Sequence, residues 1–109
     1  MRVSVVLCTH TMERYDDCRA AAESVLDQTY DDVELVLVSD GSEAVYEKFE
    51  ADYGECDDVT LVLLDENKGL LEARNAGAEA SSGEVVAFLD DDAIAHPEWI
   101  EHLVSAYEN

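Results

Sequence analysis

At 109 residues, 48% of them apolar, the chain suffices for one packed core. Its 27 acidic residues outnumber 6 basic ones, for a formal charge of −21, which excludes the clustered lysines and arginines of a nucleic-acid-binding surface. Disorder is excluded by dense, regularly spaced apolar residues, and no apolar run approaches the roughly 20 residues of a membrane helix. What remains is a folded protein suited to molar salt, where self-repulsion is screened within about 3 Å.

The first segment, "RVSVVLC" (2–8), is continuous and β-branched, and predicts a strand buried on both faces. Because "MRVSVVLCTH" reads as a strand rather than a signal peptide, the protein is expected to start in the cytoplasm. From Arg14 to Asp27 the spacing turns helical, with Tyr15, Cys18, Ala22, Val25 and Leu26 on one face. "VELVLV" (33–38) predicts a second strand, ended by the bend "SDGS" (39–42) with Gly41 free to take positive φ. Val45, Phe49 and Tyr53 mark a short helix, "VTLVLL" (59–64) a third strand and "DENKG" (65–69) a polar turn. A small-residue helix, about Leu70 to Ala80, presents Leu70, Ala73, Gly77 and Ala80, and Gly83 is its expected C-terminal cap. "EVVAFL" (84–89) predicts the fourth strand. Pro97 is then expected to open a last helix with Trp99, Ile100, Leu103, Val104 and Tyr107 on its apolar side. The expectation is one α/β domain over 1–109, a parallel four-stranded sheet with helices on both faces. The cysteines, Cys8, Cys18 and Cys56, are expected to be idle thiols of a reducing compartment, since no C-x-x-C pair occurs.

Ligands of such sheets sit outside the carboxyl ends of the strands, and all four ends here are polar. Strand one ends in "CTHT", with Thr9 and His10, and strand two in "SDGS", with Asp40. Strand three ends in "DENKGLLEARNAG", with Lys68, Arg74 and Asn75, and strand four in Asp90, Asp91 and Asp92. Three adjacent carboxylates at a strand mouth either cap a solvated turn or await a hard cation. Carboxylate oxygens suit Mg²⁺ or Mn²⁺, which complete their shell with water and substrate phosphates. A metal bridging carboxylate and pyrophosphate would reverse the repulsion between an acidic protein and a nucleoside diphosphate, and would stabilise a leaving diphosphate. Asp40 is placed either to accept from a base N–H or ribose hydroxyl or to hold an Asx-turn, and its two oxygens permit both. His10 either stacks on a base or fills the rim. Arg74 has no acidic partner at helical spacing, and is placed to reach phosphate or brace the aspartates. Lys68 is either solvated or in contact with phosphate.

The stretches "VSVVLCTH", "ESVLDQTYDDVELVLVSDGS" (23–42), "NKGLLEARNAGAEASSGEVVAFLDDD" (67–92) and "HPEWIEHLV" (96–104) together resemble the N-terminal half of family 2 glycosyltransferases, inverting enzymes of GT-A fold. The resemblance implies a Rossmann-like nucleotide-sugar-binding half, with His10 lining the nucleobase, Asp40 on the base and Arg74 helping to bind the nucleotide. Asp90 and Asp92 would form the D-x-D motif, with Asp92 on the metal and Asp90 nearer the ribose. Thr9, Lys68 and Asp91 are placed with the nucleotide-binding residues. The chain departs from the family pattern at Cys8, at His10–Thr11 and at Ser39, positions that bear on base and sugar selectivity. The partners implied are a nucleotide-diphosphate sugar and an acceptor of unspecified class, such as a glycan, a lipid carrier or a protein-linked sugar. The catalytic base is expected beyond Asn109, so the chain is read as truncated before the acceptor half, able to bind donor but not to turn over. A half-domain of this kind also allows a homodimer through its fourth strand or last helix, and the longer protein is expected at the cytoplasmic face of a membrane. Against this stand a nucleotidyltransferase, which would want a Gly-rich loop where "CTHTMERYDD" has none, and a receiver module, which would want acids where Thr9 and His10 stand. A non-catalytic nucleotide-binding or interaction domain is the remaining alternative.

Overall fold

A computed structural model describes residues 1–108; Asn109, the last position of the expected domain, lies outside the described residues. Strands β1 (Val3–Thr9), β2 (Val33–Asp40), β3 (Val59–Leu64) and β4 (Val85–Leu89) form one parallel sheet in the order β3-β2-β1-β4. Helices α1 (Tyr15–Leu26), α2 (Glu43–Tyr53), α3 (Leu70–Ala80) and α4 (Trp99–Glu108) join or follow them. The order follows from the right-handed crossover rule. The chain steps from β1 to β2 to β3 in one direction, with α1 and α2 on one face. It then returns past two strands to place β4 beside β1, which puts α3 on the opposite face.

The alternation of each strand divides the core accordingly. Val3, Val5 and Leu7 of β1 and Val33, Leu35 and Leu37 of β2 point to α1, α2 and α4, whose Cys18, Val25, Phe49 and Ile100 are buried against them. Val6, Cys8, Val36 and Val38 point to the other face, where α3 supplies Ala73. Each fully buried Val, Leu or Phe contributes about 1.5–3 kcal/mol of transfer free energy. The expected helices on both faces are therefore present, three on one and one on the other.

Several local expectations are corrected. β2 extends to Asp40, so Ser39 and Asp40 belong to the strand and both are buried. A 3-10 turn, Met12–Arg14, precedes α1, with the Thr11 side chain accepting from the Glu13 N–H. Gly83 does not cap α3. The helix ends at Ser81, whose hydroxyl donates to the Gly77 carbonyl, while Gly83 passes so close beneath β1 that a Cβ would meet Ser4 Oγ at 2.6 Å. Pro97 lies in a turn before α4 rather than in its first turn. On α3 only Ala73 and Gly77 are buried; Leu70 and Ala80 face outward because the helix touches the sheet along a narrow line. Leu26 and Tyr107 are likewise exposed.

Beneath α3, at the opposite end of the sheet from the polar strand tips, Glu34 is 6% exposed yet charged. Burial opposes its charge. Hydrogen bonds from the Ser82 N–H, from Ser4 Oγ at 2.7 Å, from Thr60 Oγ1 at 2.8 Å and from Ser82 Oγ outweigh that burial and hold its carboxyl below the usual range. The network ties β1, β2 and β3 to the α3–β4 connection.

Candidate functional site

The carboxyl ends of the strands converge on one cleft of about 450 Å³. It lies where the strand order reverses, between β1 and β4, the position at which open parallel sheets bind ligands. Thr9, His10, Asp40, Arg74, Asp90, Asp91 and Asp92 all line it. Lys68 and Asn75 do not; both are exposed, and Lys68 enters the site only through its backbone.

Asp40 is not an Asx-turn residue. Its Oδ1 accepts from the Lys68 N–H at 2.8 Å and its Oδ2 from the Gly69 N–H at 3.0 Å, so it pins the loop that opens α3. The preceding bend is held instead by Ser39 Oγ, which donates to the Ser42 carbonyl, and by Ser42 Oγ, which accepts from the Val45 N–H. Gly41 adopts φ +83, and a Cβ there would stand 2.2 Å from Asn67 N. The bend and the 65–69 loop are thus pressed together, and this contact delivers Asn67 and Gly69 to the cleft wall. Gly69, with φ +94, has nothing within 4 Å of where a Cβ would stand, which leaves the N-terminus of α3 open to solvent at the cleft.

Each carboxylate of the 90–92 turn has a different environment. Arg74, projecting from α3, donates from Nη2 to Asp90 Oδ1 at 3.0 Å, and its guanidinium lies 5.7 Å from the Phe88 ring centre. Arg74 therefore braces an aspartate. Arg14, at the start of α1 on the other face, donates from Nη1 to Asp91 Oδ1 at 2.9 Å, and Asp91 holds the Arg14 guanidinium in its charged form. Asp91 is buried; Asp92 is exposed and, among the described residues, its carboxylate has no hydrogen-bond or ion-pair partner. Three carboxylates and two guanidiniums leave one net negative charge at the turn, in a chain of net charge −21.

Arg14 is a site residue that the strand-end reading did not single out. The available signal was rarity: it is one of six basic residues and follows strand one by a few positions. Thr9 Oγ1 is buried with no partner among the described residues, an orphan of the kind that a bound group satisfies. Burial pushes the Cys8 thiol, on the cleft wall, up to about 11, against the opposing pull of Arg74, so it is a protonated thiol rather than a nucleophile. Cys18 is buried and protonated for the same reason, and Cys56 is exposed and unpaired.

The donor set at the cleft suits a hard divalent cation, because every candidate ligand atom is a carboxylate oxygen. The three aspartates do not close into a cage. Among the described residues, the group whose ligand atoms do approach within 4.8 Å of one another is Glu98, Glu101 and His102, exposed at the start of α4. A cation in the cleft would therefore rest on one or two carboxylates and take its remaining ligands from water and phosphate.

A parallel sheet in the order 3-2-1-4, with a carboxylate- and arginine-lined cleft at its switch point, defines a doubly wound α/β domain. Residues 4–109 match the family described as Glycosyl transferase family 2, and the chain belongs to that family. It is 52% identical over 109 residues to the glucosyl-dolichyl phosphate glucuronosyltransferase of Haloferax volcanii, covering 100% of this chain and 35% of that protein. It is 32% identical to glycosyltransferase AglE of the same organism, over 94% of this chain and 34% of that one. Its fold superposes on residues 1–349 of S. aureus TarS with a TM-score of 0.84 at 23% identity, covering 99% of this chain and 32% of that one. The likeness shows the GT-A fold. TarS has also been crystallised with UDP-GlcNAc. The chain thus spans about a third of the length of these two Haloferax relatives.

Proposed function

We propose that this chain is the donor-binding part of an inverting glycosyltransferase, which moves a sugar from a nucleoside diphosphate to an acceptor. The observation that carries this reading is the convergence of Thr9, His10, Asp40, Arg74 and the 90–92 turn on one cleft at the switch point of the sheet.

His10, exposed at the lip, is positioned to stack on the nucleobase. Asp40 keeps lone pairs for a base N–H or ribose hydroxyl after bonding Lys68 and Gly69. Thr9 offers its unpartnered hydroxyl. Arg74 supplies positive charge to the phosphates while bracing Asp90, the carboxylate assigned to the ribose side and to the metal. Asp92 would be the direct ligand of Mn²⁺ or Mg²⁺, which when bound would neutralise the charge that develops on the leaving diphosphate. Lys68 has no assigned contact with the nucleotide. The base that deprotonates the acceptor is assigned to none of residues 1–109. The name of the Haloferax relative supports a lipid-phosphate-linked sugar as acceptor, and hence work at the cytoplasmic face of a membrane. Its source and the chain's charge support adaptation to molar salt.

Calorimetry in molar KCl tests the reading with UDP, GDP and dTDP, with Mn²⁺ and then with EDTA. Metal-dependent binding of a nucleoside diphosphate that is lost in Asp92→Asn is the expected result. Metal-independent binding, or binding of none of the three, refutes it, and robust sugar transfer by these 109 residues refutes the assignment of the base elsewhere.

A further inference from the structure

We infer that Arg14 is a positioning residue for the donor site: its guanidinium anchors Asp91 and thereby sets the 90–92 turn so that the Asp92 carboxylate stays free in the cleft. The inference rests on the nucleotide-sugar reading above. Its observation is the asymmetry of the turn. Asp90 is held from the α3 face by Arg74 and Asp91 from the α1 face by Arg14, across 77 residues of sequence, while Asp92 is held by nothing among the described residues.

The burial of Asp91 shows why its partner matters. The Asp91 side chain is 11% exposed and the Arg14 side chain 52%. A carboxylate so far from water needs hydrogen-bond donors to offset its lost hydration, and Arg14 is the side chain that supplies one to Asp91 among the described residues. The backbone around Arg14 is itself set. Thr11 caps the 3-10 turn, and Arg14 stands between that turn and α1 with φ −100 and ψ 6, so the guanidinium leaves a rigid corner and not a loop tip. Tyr15, the next residue, is buried against Phe49 and donates to Asp52 at 2.7 Å, which fixes the corner to α2. With Asp91 anchored, its two neighbours are directed by the chain: Asp90 to Arg74, Asp92 outward. Without Arg14 the turn would carry one more uncompensated charge, and Asp91 would turn toward water or toward the cation and compete with Asp92. Arg14 is a fork-shaped donor, so Lys keeps the charge but not the geometry.

The test uses Arg14→Met, Arg14→Lys and the double variant Arg14→Met/Asp91→Asn in molar KCl. Mn²⁺ affinity is read by water-proton relaxation, UDP affinity with Mn²⁺ by calorimetry, and stability by urea unfolding. In Arg14→Met both affinities should fall about tenfold or more, the usual cost of losing an outer-shell partner of a metal site. Arg14→Lys should recover part of that loss. The double variant removes the unpaired charge, so it should regain stability without regaining affinity. Wild-type affinities in Arg14→Met overturn the inference. So does full recovery of affinity in the double variant, since Arg14 would then only neutralise Asp91. If the unaltered chain binds no nucleoside diphosphate with Mn²⁺, the donor-site reading itself fails and the inference falls with it.

Discussion

Gly77→Ala probes how the site depends on one close approach far below it. A Cβ at Gly77 would stand 2.4 Å from Val6 Cγ1 and 3.0 Å from Val38 Cγ2. Both valines are buried in the central strands and are stiff at χ1, so they do not rotate away. The outer side of α3 is exposed, so the helix lifts instead, by about 1 Å, to restore ordinary carbon contacts. Such overpacking costs about 1–3 kcal/mol, and the better helix propensity of Ala returns about 1 kcal/mol. The net expectation is a loss of up to about 2 kcal/mol, visible as a lower urea midpoint in molar KCl with an unchanged slope. Arg74 lies three residues earlier on the same helix, so its 3.0 Å bond to Asp90 lengthens and metal-dependent UDP affinity falls as well. A Gly77→Ala protein as stable as wild type, with unchanged affinity, would refute the claim that contact with Val6 and Val38 sets the height of α3.

Gly41→Ala combines a left-handed backbone with a Cβ 2.2 Å from Asn67 N; it should cost about 2–4 kcal/mol in urea unfolding and disorder the loop that Asp40 holds. Glu34 has a folded pKa below its ordinary value of about 4.5. Its stabilisation is therefore present above that value and is lost as pH falls through the folded pKa. Glu34→Gln should remove about 2 kcal/mol at neutral pH and flatten the acid limb of the stability profile, measured by urea midpoints from pH 7 to pH 3. Lowering KCl from molar to about 0.1 M lengthens the screening distance from about 3 to about 10 Å. With a charge of −21 the unfolding midpoint should drop steeply, and sodium sulfate at matched ionic strength should restore it.

Strand and helix identities were legible in the chain because they depend on neighbours two to four positions apart. Continuous apolar runs marked β1 and β2, four-residue spacing placed Phe49 and Tyr53 on one side of α2, and the helix expected from about Leu70 to Ala80 spans those residues. The sequence also located Thr9, His10, Asp40, Arg74 and Asp90 to Asp92, since a parallel α/β order brings strand ends to one edge. It misplaced what depends on contact between distant segments. Gly83 looked like a cap and is a close approach to Ser4. Asp40, read as a base or ribose acceptor or an Asx-turn residue, holds no turn and instead bonds a loop 28 positions on. Lys68, open to either solvent or phosphate in the sequence, is exposed and does not line the cleft.

The amino-acid order by itself determined the elements, the acidic character and the set of polar tips. Only the tertiary structure decided which carboxylate each arginine holds. The 3-2-1-4 strand order sets β4 beside β1, with α1 on one face and α3 on the other, and this brings Arg14 and Arg74 to Asp91 and Asp90 from opposite sides. Pairings made through space across a sheet leave no periodic trace along the chain.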